Sequence, residues 1–311
     1  MKKIISVIVI VAMLLSASLA ILPAGAASNS ATVTDQTSLY KAMRWAKGDY
    51  TINISGTIAL SSALPQCDEN ANITLKGGTL DLSKLSTVYV YGNISIDVDN
   101  LTLLSGGTIY ANGYDLAIEE GVSVKYVDGS AQAVADSNVR FTVYGGSNNA
   151  DIDGDTNLRI LSGIYSRIYG GSNKGTVTGS THVTIGTGSG KVNNNDLVGW
   201  DDSNHGSTYQ FYGGSNGGAV LGDTNLIIGA NAYCDYAVAG NENGGSIGGT
   251  AYMDFCGYAY GLYGGSRGAN TMNDVCLTMT GGGVADICGG SGAVSLGSAE
   301  DPSNVLVMIL G

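Results

Sequence analysis

The chain has 311 residues, of which 48 are glycine and only 3 proline, and its formal net charge is −12. So large an acidic excess disfavours nucleic acid, anionic membrane surfaces and acidic polysaccharides as partners, and leaves neutral ligands or cations. Charged residues are only 13% of the chain, too few for a disordered one, and glycine among β-branched and tyrosine residues points to many short strands and turns.

Residues 1–26 read as a secretory signal peptide. Lys2 and Lys3 form a basic start, Ile4 to Leu22 an apolar run, and Ala24-Gly25-Ala26 an A-x-A cleavage site. An uncleaved membrane anchor is the alternative. Export implies a secreted or cell-surface protein. Cleavage would leave 12 basic against 26 acidic residues and a net charge of −14. No later segment is long and apolar enough to span a bilayer.

SLYKAMRWAKG, Ser38 to Gly48, predicts a helix with Leu39, Ala42, Met43 and Ala46 on one face and Gly48 as its stop. Placed before the alternating YTINISGTIAL, it would cap a sheet end that otherwise exposes unpaired edge groups. NITLKGGTL (Asn72 to Leu80) and NLTLLSGGTI (Asn100 to Ile109) read as two coils 28 residues apart. Leu116, Ile118, Val122 and Val124 alternate and suggest another. The coils are expected to begin near Tyr50 and run unbroken to the end as one domain. Residues 27–143 form the cap and irregular coils, and 144–311 the regular ones.

YGGSN stands at Tyr144 to Asn148, Tyr169 to Asn173 and Tyr212 to Asn216; YGGSR follows from Tyr263 and CGGSG from Cys288. With Val238 of VAGNENGG in register, the spacings are 25, 43, 26, 25 and 25 residues. The long one carries an insertion at about 189–206. Between these corners lie alternating runs such as NLRILSG, THVTIGTG and CLTMTGG, each a strand with one buried face. A 25-residue period without helical periodicity suits one coil of a parallel β-helix, in which equivalent residues form columns about 4.8 Å apart. Tyr144, Tyr169, Tyr212 and Tyr263 should then stack. Ser147, Ser172, Ser215, Ser266 and Ser291 should hydrogen-bond through neighbouring hydroxyls, and Asn148, Asn173 and Asn216 should fill tight corners. The repetition is first a packing code; a ligand surface is the other reading. Cys234, Cys256, Cys276 and Cys288 sit at offsets 22, 18, 13 and 0 in their repeats, so no two share a column and free thiols are expected.

The capping stretch, the NITLKGG turns and the YGGSN coils resemble the right-handed parallel β-helix, or pectate-lyase-like, superfamily. Within it they look most like Gly-rich adhesin-like repeat proteins secreted by or displayed on Gram-positive bacteria. The resemblance spans most of residues 35–311. It implies an all-β, single-stranded right-handed parallel β-helix (solenoid) with about 25-residue coils and a short N-terminal capping helix. It is specific for fold and weak for function, because the superfamily holds lyases, glycosidases and adhesins.

The resemblance directs attention to catalytic groups. Lyases of the superfamily abstract a proton with a basic residue and neutralise an acidic sugar with calcium or further bases; here Arg159, Arg167, Lys174, Lys191 and Arg267 are scattered. Inverting glycosidases of the superfamily use paired aspartates and a Gly-His-Gly. Asp201-Asp202 and His205-Gly206 are similar to pieces of that pattern, but they crowd into one loop, whereas an inverting site separates its carboxyls by about 6.5–9.5 Å. In the same insertion Trp200 offers a flat face for a sugar, and Asp201, Asp202, His205 and Tyr209 offer polar groups, so a glycan-binding loop over 189–209 is expected. A loop folded on the coil surface is the alternative. Asp151, Asp153 and Asp155 alternate like part of a calcium loop, without an EF-hand register; a plain acidic turn and a calcium-held turn both stay open, and no other cofactor is indicated.

The expected function is that of a secreted or cell-surface, non-enzymatic, adhesin-like or structural solenoid. Its partner would be a host or environmental glycan or a surface protein, and not nucleic acid. The alternative is a polysaccharide hydrolase or lyase of the same fold. The last coil, NVLVMILG, resembles its predecessors rather than a polar cap, so its end is expected to pack on a partner or on further sequence.

Overall fold

The computed structural model describes residues 29–194, 209–268, 274–292, 296 and 303–310. The alternating runs become strands, and each strand pairs in parallel with its equivalent one turn away. Eleven strands form a long sheet that runs from Ser30–Val33 and Asp49–Ile54 to Val305–Ile309. Four strands, from Thr57–Ala59 to Ser123–Val127, form a second sheet, and eight, from Thr87–Tyr89 to Gly283–Cys288, a third. The chain visits the sheets in turn and returns one rung further on, which makes it a parallel β-solenoid.

Period-two alternation explains the interior. In Thr181–Ile185 (THVTI), Val183 and Ile185 are buried while His182 points outward. Register then stacks like on like: Ile73, Ile94, Leu116, Leu158, Val183, Leu226, Met253 and Leu277 form one inward column of the long sheet. Val88, Ile109, Val143, Ile168 and Phe211 form a matching column in the third. Each such side chain stabilises the fold by about 1.5–3 kcal/mol.

Several boundaries differ from expectation. The long sheet begins one strand before Tyr50, with Ser30–Val33 paired to Asp49–Ile54. The helix spans Gln36–Trp45, starting earlier because Asp35 caps it. Ser38 N–H donates to Asp35 Oδ1 at 2.8 Å, and Asp35 N–H donates to Ser38 Oγ at 3.2 Å. Leu39, Met43 and Ala46 are fully buried in the core. NITLK and NLTLL are not equivalent: Asn72–Lys76 lies in the long sheet and Asn100–Leu104 in the second. The true step in this region is 21 residues from Asn72 to Asn93 and 22 from there to Asp115. The N-x-T motif recurs because two faces use the same strand-then-glycine grammar, so its spacing does not measure the coil.

The next step, Asp115 to Asn157, spans 42 residues and carries an insertion that holds a 3-10 turn at Asp136–Asn138. It meets Tyr209, whose Oη donates to the Asp136 carbonyl at 3.0 Å. Beyond Ser123–Val127 the second sheet gives way to isolated parallel bridges from Gly163 to Val192 to Ala232. Tyr126, Phe141 and Tyr165 fill the interior at that change.

All five cysteines are free thiols. Cys234 pairs in register with Ala259, Cys276 with Tyr252, and Cys288 with Tyr263, so none of these three meets another cysteine across a rung. Burial pushes the Cys67 thiol up to about 11 and raises Cys234 as well. At the far end Leu306 is 50% exposed and Ile309 63%. Among the described residues no helix is long and apolar enough to cross a membrane.

Candidate functional site

The YGGSN corners are built as a set of ladders. Tyr144, Tyr169, Tyr212, Val238 and Tyr263 occupy one column. The column starts earlier than the motif, at Tyr89 and Tyr110. Ring centroids from Tyr89 to Tyr212 lie 5.5, 5.0, 4.6 and 4.8 Å apart, all stacked. The serines work differently from the expected chain of hydroxyls: Ser172, Ser215, Ser266 and Ser291 each accept a backbone N–H from the rung before. Ser147 N–H donates to Ser172 Oγ at 3.1 Å, Ser172 N–H to Ser215 Oγ at 3.0 Å, and Ser266 N–H to Ser291 Oγ at 3.1 Å. Asn173 Nδ2 donates to Asn148 Oδ1 at 2.8 Å and Asn216 Nδ2 to Asn173 Oδ1 at 2.7 Å, and Asn243 extends this ladder.

The two glycines follow from the ladders. A Cβ on the first (Gly145, Gly170, Gly213) would overlap the carbonyl oxygen of the next rung. A Cβ on the second (Gly146, Gly171, Gly214) would overlap the hydrogen-bonding Ser172 Oγ, Ser215 Oγ or Asn241 Oδ1. At the variant rung Asn241 replaces serine and still accepts the Ser215 N–H at 2.7 Å. Glu242 there is 8% exposed; its carboxylate accepts from Tyr169 Oη and faces the Arg167 guanidinium at 3.9 Å.

Burial, with neighbouring Tyr89, raises the Tyr110 hydroxyl above its ordinary value; burial first, then Tyr110 and Glu242, raises Tyr144. Burial first, then Glu242, raises Tyr169 and Tyr212 as well. A folded-state value above the unfolded one favours the protonated form. Stability is therefore fully present below about pH 10 and is lost as pH rises beyond it. A titration read at 295 nm should show these four phenols ionising above the ordinary tyrosine range.

Of the residues assigned to a glycan loop, Trp200, Asp201, Asp202 and His205 lie outside the described residues. Tyr209 is buried at 3% exposure, and its N–H donates to Asp235 Oδ2 at 2.8 Å. Asp151, Asp153 and Asp155 project toward the next rung. Asp151 Oδ1 accepts Thr176 N–H at 2.8 Å, Asp155 Oδ1 accepts Ser180 N–H at 2.7 Å, and Asp153 Oδ1 accepts Thr178 Oγ1–H at 3.2 Å. These bonds tie one rung to the next. Among the described residues no three His, Cys, Asp or Glu side chains gather in a geometry that could hold a metal ion.

A groove that sequence reading missed lies on the outer face of the long sheet, with a volume of about 480 Å³. One column along it reads Asn72, Asn93, Asp115, Asn157, His182. Asn93 Nδ2 donates to Asn72 Oδ1 at 3.2 Å, Asp115 N–H to Asn93 Oδ1 at 3.1 Å, and Asn157 Nδ2 to Asp115 Oδ1 at 2.8 Å. The neighbouring column reads Thr74, Ser95, Ala117, Arg159, Thr184, and the small Ser95 and Ala117 leave the hollow. Arg159 pairs with Glu119, which also accepts from Ser95 Oγ at 2.5 Å. Amides and hydroxyls can both donate to and accept from a polyol, the Asp115 carboxylate can accept, and the Arg159 guanidinium, paired with Glu119, can donate. The signal was present in the outward positions of NITLK, NISID, NLRIL and THVTI, but it becomes a column only once register is known. No protein-family model, curated protein or solved structure matches the chain.

Proposed function

We propose that this protein is an exported, non-enzymatic solenoid that serves as an adhesin-like surface module and holds neutral glycan along the outer face of its long sheet. The observation that carries this reading is the groove. Its polar groups recur once per rung on a rigid floor, so a chain of hydroxyl-bearing units meets a repeated donor–acceptor pattern with little ordering cost. The acidic surface turns anionic polymers away. In this reading the coil winds right-handed, as nearly all parallel crossovers do. The helix Gln36–Trp45 closes its first end, a role supported by the burial of Leu39 and Met43.

A second reading, polysaccharide cleavage, draws on one observation: Asp115, Arg159 and His182 line the same groove. One experiment separates the two. The mature protein is incubated with a panel of neutral glycans, and both retention and new chain ends are measured. Thr184→Arg, which fills the groove, is expected to weaken retention with no chain ends formed in either protein. Oligosaccharide release abolished by Asp115→Asn or Asp202→Asn would overturn the non-enzymatic reading. Loss of retention in Trp200→Ala alone would move binding to residues 189–209.

A further inference from the structure

Beyond Tyr89, the tyrosines on the outside of the third sheet fall into two groups. Tyr110, Tyr144, Tyr169 and Tyr212 are buried, at 7% exposure or less. Those on the next two rungs are not. Tyr233 and Tyr236 on one rung, and Tyr258, Tyr260 and Tyr263 on the following one, are half-buried or exposed. Cys234 and Ala259 point inward at 0% exposure, so their neighbours Tyr233 and Tyr258 stand outward, directly paired in register. Their rings stack at 5.2 Å and 8°.

The stack then stops. The register partner of Tyr258 on the next rung is Gly283, which has no side chain to cover the ring. A Cβ at Gly283 would lie 3.1 Å from Tyr258 Cδ1, so the glycine sits close beside one edge of the ring, which remains 39% exposed. Two exposed residues of the same strand, Ala285 and Asp286, continue the shelf, and Asp286 is the register partner of Gly261. Tyr236 and Tyr260 wall it in an edge-to-face pair at 5.9 Å.

We infer that this step is a binding seat for one pyranose ring of a neutral glycan, placed where a further aromatic ring would continue the stack. The C–H face of a sugar fits an uncovered aromatic face, and the Asp286 carboxylate accepts from its hydroxyls. The chain's acidic excess disfavours an anionic sugar. The inference rests on the reading of the protein as a glycan binder but places this contact on a different sheet from the groove.

The test measures binding of neutral hexasaccharides of glucose and of N-acetylglucosamine to the full mature chain by tyrosine fluorescence. Three variants are compared with the wild type. Tyr258→Ala removes the platform, Gly283→Tyr fills the seat while adding a stacking partner, and Thr184→Arg blocks the long-sheet groove. Binding weakened at least tenfold in both Tyr258→Ala and Gly283→Tyr is expected, with both variants still melting cooperatively. Thr184→Arg should leave that fluorescence response in place. Response lost only in Thr184→Arg would overturn the seat and leave the groove reading standing. No binding of either hexasaccharide by the wild type would overturn the seat. So would displacement of bound sugar by an equal concentration of a tyrosine-containing peptide, which would assign the shelf to a peptide.

Discussion

Gly171→Ala is expected to destabilise the solenoid by about 2–3 kcal/mol, and the loss should depend on a residue one rung away. The new Cβ would overlap Ser215 Oγ, the acceptor of the Ser172 N–H. Turning the serine aside relieves the overlap but leaves that buried N–H without its partner. Ser215→Ala loses the same hydrogen bond and should cost about 1–3 kcal/mol. The double variant should therefore be less destabilised than the two single losses added together, by about 1 kcal/mol or more. Urea unfolding of the four proteins measures the cycle. Strict additivity would show that the second glycine and the next serine are unrelated. Gly244→Ala, whose nearest neighbour would lie at 3.4 Å, is the control and should stay within about 0.5 kcal/mol of wild type.

Tyr169→Ala should be among the costliest single changes, at about 3–5 kcal/mol. It empties the middle of the ring stack, where neighbours lie 4.6 and 4.8 Å away, and removes the phenol that donates to the buried Glu242. Tyr169→Phe separates the two effects. It keeps the stack and removes only the hydroxyl, so about 1–3 kcal/mol is expected. Adding Glu242→Gln to Tyr169→Phe should recover part of that loss, since an amide is cheaper than a carboxylate to leave short of a donor. An equal cost for Phe and Ala at position 169 would contradict the stacking account.

The regular half of the fold was legible because the YGGSN spacing is the rung spacing. Five like residues return at one corner, and a corner can recur at 25 residues only if the coil closes there. The placement of Val238 in the tyrosine column could be read for the same reason. The first third was harder. Asn72–Lys76 and Asn100–Leu104 look alike in sequence because alternation marks a strand but carries no label for its sheet. Tyr89 and Tyr110 lack the following Gly-Gly, so their membership of the column shows only in three dimensions. The serine ladder could not be foreseen either, because its donors are backbone N–H groups that sequence does not mark. The groove escaped for a related reason: its residues are ordinary outward positions of separate strands, and only the parallel register brings Asn93, Asp115 and Asn157 side by side.

The in-register rod can be tested with nitroxide spin labels at Asn157→Cys, His182→Cys and Asn225→Cys, outward positions of one long-sheet column on three consecutive rungs. Cys256, Cys276 and Cys288 would be replaced, while the buried Cys67 and Cys234 remain. Labels piled one rung apart, at about 4.8 Å, share their electrons, and the electron paramagnetic resonance spectrum should collapse to a single exchange-narrowed line. Three resolved lines, the signature of labels that do not touch, would contradict the solenoid and the ladders built on it.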